Sequence, residues 1–487
     1  MSDTTHTTSS FRHWLSPSLL IGCIGVVAGL MLRVFATGGE LWLDEVWSLL
    51  KIADLTSHLE ILTKVKHDNN HLLNSLWMWV WGPLQTPLIY RAPSLLFSAL
   101  LLILLMASKP TEGSVRSSML WLILVAFSYP LILQGVEARG YSLTLLCATL
   151  AFLSLVELSK NPSSRRAIFT FSAAGIIGSL SHAIYLLFLA PSIVWLIWRL
   201  SAPPLKAHSR AVLWLCITPP ILFACLLTFT FYRNMEIGGA PRLPYLEVAA
   251  STISVSYGGE PLSSIHPAVT GWSIILAFAV TLACLAELVA WLRSGSPIAW
   301  LVGLILVTPW IVVSVLQPHF ILPRYFIIQI LFAYLLAARF LERLMRQGRV
   351  GAAIAVALLG AYIFGNTTHS LTLATMGRSH FVEIFEALAS RNQDGAITVG
   401  GDQDFQNGLR LQYAHMIAPS TSRLVYVRAY RAALTPPRFI IRETLEAYTV
   451  FPDETTLSQG TRYRAIQRYR APLLNGSHVT VYEKNPE

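Results

Sequence analysis

Residues 15–47 read LSPSLLIGCIGVVAGLMLRVFATGGELWLDEVW. From Leu15 to Phe35 the only charged residue is Arg33. A helix needs roughly 17–25 predominantly apolar residues to cross a bilayer, and a removable leader has an apolar core of roughly 7–15. The run is therefore a stably anchored membrane span. Within a few residues of its end come two adjacent acids, Asp44 and Glu45, flanked by Trp42 and Trp47. A cation at the end of a span and a carboxylate pair just beyond it set the reading of the remaining chain.

Working outward, the composition agrees. Of 487 residues, 54% are hydrophobic and 13% charged, where a soluble globular chain carries about 25% charged. A soluble enzyme and a disordered chain are both excluded. The net charge of +10 does not point to nucleic acid, because up to Ser370 most basic residues sit in short connectors between apolar runs. The five cysteines all lie inside apolar runs without metal-type spacing, which excludes a disulfide framework in an exported domain.

Further apolar runs lie near 92–108, 118–134, 140–157, 167–181, 183–198, 211–231, 270–291, 298–315, 325–341 and 350–368. With the first they predict about eleven spans. Basic residues crowd five connectors: Lys109 with Arg116; Lys160, Arg165 and Arg166; Arg199, Lys206 and Arg210; Arg293; and Arg339 to Arg349. All five fall on one side if the N-terminus is cytoplasmic. Loop 37–91, the turn Glu137–Tyr141, loop 232–269, the turn Gln317–Arg324 and everything after Ser370 then share the outer side. The stretch His71–Gly82, HLLNSLWMWVWG, is about 18 Å long as a helix, too short to cross. Its tryptophans Trp77, Trp79 and Trp81 suit a juxtamembrane helix. The polar start, Met1 to Ser10, reads as disordered.

The composition shifts after Ser370, dividing the chain into a membrane domain, 1–370, and an outer domain, 371–487. Short β-like runs (396–399, 424–427, 439–441, 479–482) and helical stretches (379–391, 404–415) make the second a small α/β domain. The expected fold is an all-α polytopic membrane domain followed by this domain.

Several groups can do chemistry. Carboxylates beside a bilayer are partly desolvated, which suits a base. His67-Asp68-Asn69-Asn70-His71 reads either as a helix cap or, with Asp44, as ligands for a divalent metal; no other cofactor is expected. Arg33, Arg91, Arg139 and Arg324 map to the outer rim, where charge near hydrocarbon is costly. Any one of them reads as a snorkelling anchor. Four together with nearby acids, Glu137 among them, suggest a site for an anionic head group, since the guanidinium fork suits phosphate oxygens. Tyr141, Tyr325 and His182 border the same rim, His182 reading equally as a hydrogen-bonded interface residue. Loop 232–269 is long enough to cover the site or to be a passive connector. Asn366-Thr-Thr368 and Asn475-Gly-Ser477 match the glycosylation acceptor pattern, a common chance triplet.

The order of these features resembles the GT-C superfamily of lipid-linked glycosyltransferases. The resemblance is nearest to the bacterial branch related to protein O-mannosyltransferases and to the aminoarabinose transferases of lipid A. It rests on Leu41-Trp-Leu-Asp44-Glu45, Asp68-Asn-Asn-His71 before a Trp-rich helix, Tyr90-Arg91-Ala-Pro93-Ser94, Glu137-Ala-Arg139-Gly-Tyr141 and Pro323-Arg324-Tyr325. The chain departs at Leu72-Leu73, where many relatives have Pro-Pro, and at Gly140, where they carry a bulkier residue. The resemblance covers about Arg33 to Arg343.

What the resemblance implies is an inverting transfer of a sugar from a polyprenyl-phosphate donor, on the outer face of the inner membrane. Asp44 would be the base and Glu45 would orient an arginine or the acceptor. Arg33, Arg91, Arg139 and Arg324 would hold the donor phosphate, with His71, Asp68, Glu137, Tyr141, His182 and Tyr325 in support. The acceptor group, a hydroxyl or a phosphate, and its carrier, whether glycan, lipid or protein, are open. Two rivals stand beside this: a glycolipid transporter, and a glycan polymerase or ligase using a diphosphate donor.

Overall fold

The computed structural model describes residues 17–108, 114–201, 207–238, 244–261, 267–318, 321–391, 395–432, 434–444, 451–457, 460–470, 472, 474 and 478–486. The polar start and Asn475-Gly-Ser477 lie outside these. Each of the eleven apolar runs is helical. Among the described residues, eight helices are long and apolar enough to cross a membrane, or nine when one bent pair counts as a single span. The expectation of about eleven includes two further apolar helices at the short end of the range for a span. Arg165–Ser181 has 17 residues and Leu186–Ser201 has 16, about 25 Å each at 1.5 Å per residue. These two are consecutive, joined through the short 3-10 turn Ala183–Tyr185, so leaving both out preserves the parity of every later loop.

The bent pair is Val115–Phe127 and Tyr129–Gly135, at 60°. Pro130 cannot continue the first helix, because it lacks the amide hydrogen a helix interior uses. Ser128 starts the second instead, its Oγ accepting the N–H of Leu131 at 3.3 Å.

Two spans lie at the centre of the bundle. Tyr141–Lys160 and Pro323–Arg346 are each 72% buried, against 17–39% for the other spans. Arg139 and Arg324 stand at the N-terminal ends of these two helices. Cations at the mouths of central helices face protein rather than lipid, which is where intramembrane charge is tolerated.

The last long helix runs past Ser370 to Met376. Asn366 lies within it, fully buried, its Oδ1 accepting the N–H of Tyr129 at 2.8 Å. A glycan cannot reach it. Beyond, two helices, Phe381–Ser390 and Asp404–Ile417, pack against a six-stranded sheet of order β2-β1-β3-β6-β5-β4. The strands are β1 (Ile397–Gly401), β2 (Leu424–Tyr426), β3 (Phe439–Thr444), β4 (Glu454–Thr456), β5 (Arg462–Tyr469) and β6 (His478–Lys484). β1 pairs parallel with β2 and β3, and β6 lies antiparallel between β3 and β5. Phe381, Phe385, Leu388, Val399, Phe439, Ile441 and Val481 form the core. Four of the six strands match the β-like runs read from sequence; β4 and β5, rich in Arg, Thr and Glu, do not stand out as apolar.

The C-terminal domain is tied directly to the loop that follows the first helix. Glu40 projects its carboxylate onto the start of helix Phe381–Ser390, accepting the N–H groups of Val382 (2.9 Å) and Glu383 (2.8 Å). A carboxylate there satisfies two of the free donors of the first turn and meets the positive end of the helix dipole. Glu40→Ala should destabilise this docking by about 1–2 kcal/mol. Limited proteolysis checks it: cleavage between Met376 and Phe381 is expected to become faster in the variant, and an unchanged rate would contradict the tie.

Candidate functional site

The acids sit on the helix Leu43–Ile52, whose first turn holds both. Neighbouring positions on a helix point about 100° apart, so Asp44 and Glu45 face different partners. Glu45 is wholly buried. It takes both arms of Arg91, Nε on Oε1 at 3.0 Å and Nη2 on Oε2 at 2.6 Å. It also accepts the N–H of Trp42 (3.1 Å) and of Ala138 (2.7 Å). The remaining donors of Arg91 bind the carbonyls of Thr37, Gly38, Gly39 and Glu40. Arg91 therefore clamps the loop that leads into the acids, and every nitrogen of its fork is used there.

Asp44 faces the other way. Its Oδ2 accepts Arg139 Nη1 at 2.7 Å and meets Arg324 Nη1 at 2.9 Å. Oδ1 takes no contact among the described residues, and the side chain retains 11% exposure. Arg139 also donates Nε to His71 Nε2 (3.0 Å) and Nη2 to Asn69 Oδ1 (3.1 Å). Arg324, on a 3-10 turn spanning Pro323–Phe326, keeps a buried Nε with no partner. The Trp42 ring lies beside both guanidiniums, at 5.9 Å from Arg139 and 5.5 Å from Arg324.

Each element is held by its own local chemistry. The turn 136–140 is fixed by Ser94 Oγ on the Arg139 carbonyl (3.0 Å) and by Asn74 on the Ala138 carbonyl. Gly140 is obligatory, because a Cβ there would lie 2.0 Å from the carbonyl oxygen of Ser181. This close approach brings the turn 181–182 against 137–141 and explains why this chain lacks the bulkier residue. The segment 67–71 is held by Ser48 Oγ on the Asn69 carbonyl (3.0 Å) and by Asn70 Nδ2 on the carbonyls of Ile61 and Val65 (2.7 Å each). Loop 232–269 is anchored at its front, where Glu236 bridges to His67. Its helix Tyr245–Ser256 sets Val248 against Phe326, bracing the turn that carries Arg324.

A stack of rings backs the two arginines: His71 against His182 at 4.3 Å, and His182 against Tyr141 at 4.6 Å. Burial, with His182 and Arg139 beside it, holds His71 well below the ordinary histidine range. Burial, with Arg139 and Arg324 nearby, does the same for His182. Both rings are neutral at pH 7, so the fixed positive charge here belongs to the guanidiniums alone. Tyr141 Oη and His182 Nε2 are buried without partners, as are Trp42 Nε1 and Asn69 Nδ2. Buried polar atoms are normally paired. Arg324 Nε and Asp68 Oδ1 are unpartnered as well, so the orphaned atoms of this group include donors and an acceptor.

The expected residues thus divide. Asp44, Arg139, Arg324, His71, Tyr141 and His182 converge, with Tyr325 beside Arg324 at 5.8 Å. Asp68 flanks them, turned toward His67 Nδ1 at 2.8 Å. Arg33 does not join. Its guanidinium is fully buried between helices, donating to Ser98 Oγ (2.7 Å) and to the carbonyls of Gly29, Val125 and Ala126. Arg91 stands one residue away but is spent on Glu45 and the loop. For these two a phosphate-binding role is replaced by a structural one, because binding an anion would strip buried acceptors of their donors. Glu137 pairs with Arg378 at 3.0 Å, both fully buried. As for a metal, among the described residues no three His, Cys, Asp or Glu side chains converge to hold one; His71 has turned to Arg139 instead.

Sequence reading missed Asn69 as a partner of Arg139, and it missed Arg378. The signal for Arg378 was available: it is the first charge after the last apolar run, directly following Gly377. That glycine, at φ +71°, packs against Gly39, at φ +81°, letting the two backbones meet.

No protein-family model and no curated protein matches this sequence. Solved structures do match. The apo crystal structure of ArnT from Cupriavidus metallidurans superposes with a TM-score of 0.52 at 12% identity, covering 97% of this chain and 98% of that one. The same protein bound to undecaprenyl phosphate gives 0.48 at 12% identity, over 95% and 97%. The oligosaccharyltransferase of Archaeoglobus fulgidus gives 0.49 at 10% identity, over 89% of this chain and 70% of that one. The chain is a multi-pass membrane protein with an ArnT-like fold.

Proposed function

We propose that the protein is an inverting glycosyltransferase that moves a hexosyl or pentosyl group from a polyprenyl-phosphate donor to an acceptor hydroxyl. The reaction is placed on the outer face of the inner membrane, with the N-terminus cytoplasmic, in accord with the basic connectors and with the gathering of the site at one end of the bundle. The observation that carries the reading is the Asp44–Arg139–Arg324 group, a single carboxylate clamped by two guanidiniums and ringed by unpartnered donors.

The chemistry follows from charge. A donor phosphodiester competes with Asp44 for the two guanidiniums, which suit its oxygens. As they shift to the phosphate, Asp44 is released to accept a proton. It takes that proton from the acceptor hydroxyl, whose oxygen bonds to the anomeric carbon from the side opposite the phosphate. The bond from that carbon to the phosphate oxygen breaks, and polyprenyl phosphate leaves with the electron pair. Arg139 and Arg324 then stabilise the charge that collects on the leaving group, where preorganised donors are most effective.

Arg324 has the most donor capacity to spare. Arg324→Met should raise the donor KM by about 10- to 100-fold, the range of a lost charge-assisted hydrogen bond to a phosphate. The measurement is transfer of radiolabelled sugar from undecaprenyl-phosphate donors in membranes containing the full chain. An unaltered donor KM would remove Arg324 from the phosphate site, and absence of any transfer by the parent protein would remove the transferase reading.

A further inference from the structure

We infer that Arg378 is a positioning residue for Arg139: by holding Glu137, it keeps that acid from drawing away the guanidinium proposed to meet the donor phosphate. The inference rests on the transferase reading of the Asp44 site. It gives the joint between the last long helix and the C-terminal domain a part in that site.

The first ground is geometry. Arg378 lies two residues beyond the end of the last long helix at Met376. Its guanidinium is buried and donates Nη1 to Glu137 Oε1 at 3.0 Å and Nη2 to the Leu133 carbonyl at 2.9 Å. Leu133 sits in the last turn of the helix Tyr129–Gly135, where free carbonyls and the negative end of the dipole favour a cation. Glu137 comes two residues after that helix and two before Arg139, whose N–H donates to the Glu137 carbonyl at 2.7 Å. One side chain from the joint therefore holds the approach to Arg139 at two points. The joint itself is fixed from the Asp44 side, by Gly377 against Gly39 and by the Glu40 carboxylate on the N–H groups of Val382 and Glu383.

The second ground is charge. Glu137 is fully buried. The charged groups that act on it are Arg378 from the joint, Arg139 from its own turn, Glu45 from the helix Leu43–Ile52 and Arg324 from the 3-10 turn, with the Tyr129 hydroxyl also near. Arg378 is the strongest of these and Arg139 the next. Glu45 is closed by Arg91, and Arg324 is shared with Asp44. A buried carboxylate that loses its partner takes up a proton or finds another cation. For Glu137 that cation is Arg139, which would have to give up Asp44, His71 or Asn69. Burial already pushes the Glu137 carboxyl up to about 7 with Arg378 beside it, and without Arg378 it rises further. In a variant lacking Arg378, Glu137 is therefore neutral at pH 6 and ionises toward pH 9, drawing Arg139 as it does.

The test measures binding of undecaprenyl methyl phosphate to the purified full chain in nanodiscs. This phosphodiester keeps one negative charge from pH 6 to pH 9 and commits to no sugar. Arg378→Met is expected to bind it within about threefold of the parent at pH 6 and at least about tenfold more weakly at pH 9, the scale of a lost charge-assisted contact to phosphate. Adding Glu137→Gln is expected to restore parent affinity at both values. Arg378→Gln, uncharged but able to hydrogen-bond, carries the same comparison if the methionine variant does not fold. A loss equal at both pH values, or one that Glu137→Gln fails to repair, would mean that Arg378 only holds the fold. Either result, or parent-like affinity throughout, would overturn the inference while leaving the transferase reading in place. Failure of the parent to bind the probe would remove the phosphate site, and this inference with it.

Discussion

Asp44→Asn is expected to lower transfer by about 10³-fold, within the range that a positioned general base contributes. The substitution keeps size and one acceptor oxygen but removes the negative charge that would receive the proton. Its second effect has the opposite sign. With the carboxylate gone, Arg139 and Arg324 lose their shared counter-ion, so a phosphodiester no longer has to compete for them. Donor affinity should hold or increase while turnover collapses. That split separates a base from a mere binding residue, whose loss would raise KM. Single-turnover transfer, with donor binding measured in parallel, tests both halves. Full retention of transfer in the asparagine variant would remove Asp44 as the base.

Arg91→Met is expected to have the largest effect on stability, about 3–5 kcal/mol, the cost of leaving a buried charge without its partner. Glu45 is fully buried, and four backbone carbonyls lose their donor in the same step. Arg91→Lys should rescue little, because a single ammonium cannot reproduce a fork that reaches both carboxylate oxygens and the loop. The double variant Arg91→Met with Glu45→Gln should recover part of the loss by removing the orphaned charge. Thermal unfolding in detergent reads all three. If Arg91→Met melted like the parent and only donor affinity fell, Arg91 would return to the phosphate site.

Position alone does not separate the two acids; only the resemblance assigned Asp44 as the base and Glu45 as the partner of an arginine or the acceptor. Asp44 and Glu45 are neighbours in sequence, and both lie beside tryptophans at the end of a span. On a helix they point in different directions, and what each one meets comes from elsewhere in the chain. Ala138 and Arg91 close around Glu45; Arg139 and Arg324 close around Asp44. The arginines divide in the same way. A guanidinium at a span end reads alike whether its donors go to carbonyls, as with Arg33, or remain available, as with Arg324.

The range of span counts, nine to about eleven, has a related cause. Hydropathy registers apolar length but not a break such as the one at Ser128, nor that two consecutive helices are about one turn shorter than the rest. The juxtamembrane helix was legible because its length and its tryptophans argued together; it runs from Leu72 to Trp81.

By itself, the sequence determined the membrane class, the polar break after the last long helix, the α/β character of the terminal domain and the order of charged motifs along the chain. Each of these follows from local hydropathy and period, which a chain carries wherever it goes. Only the tertiary structure decided which charges are neutralised within the protein and which are left to meet a ligand. Pairing depends on partners dozens to hundreds of residues apart, such as Glu137 with Arg378 and Asp44 with Arg324, and burial makes each pairing nearly exclusive.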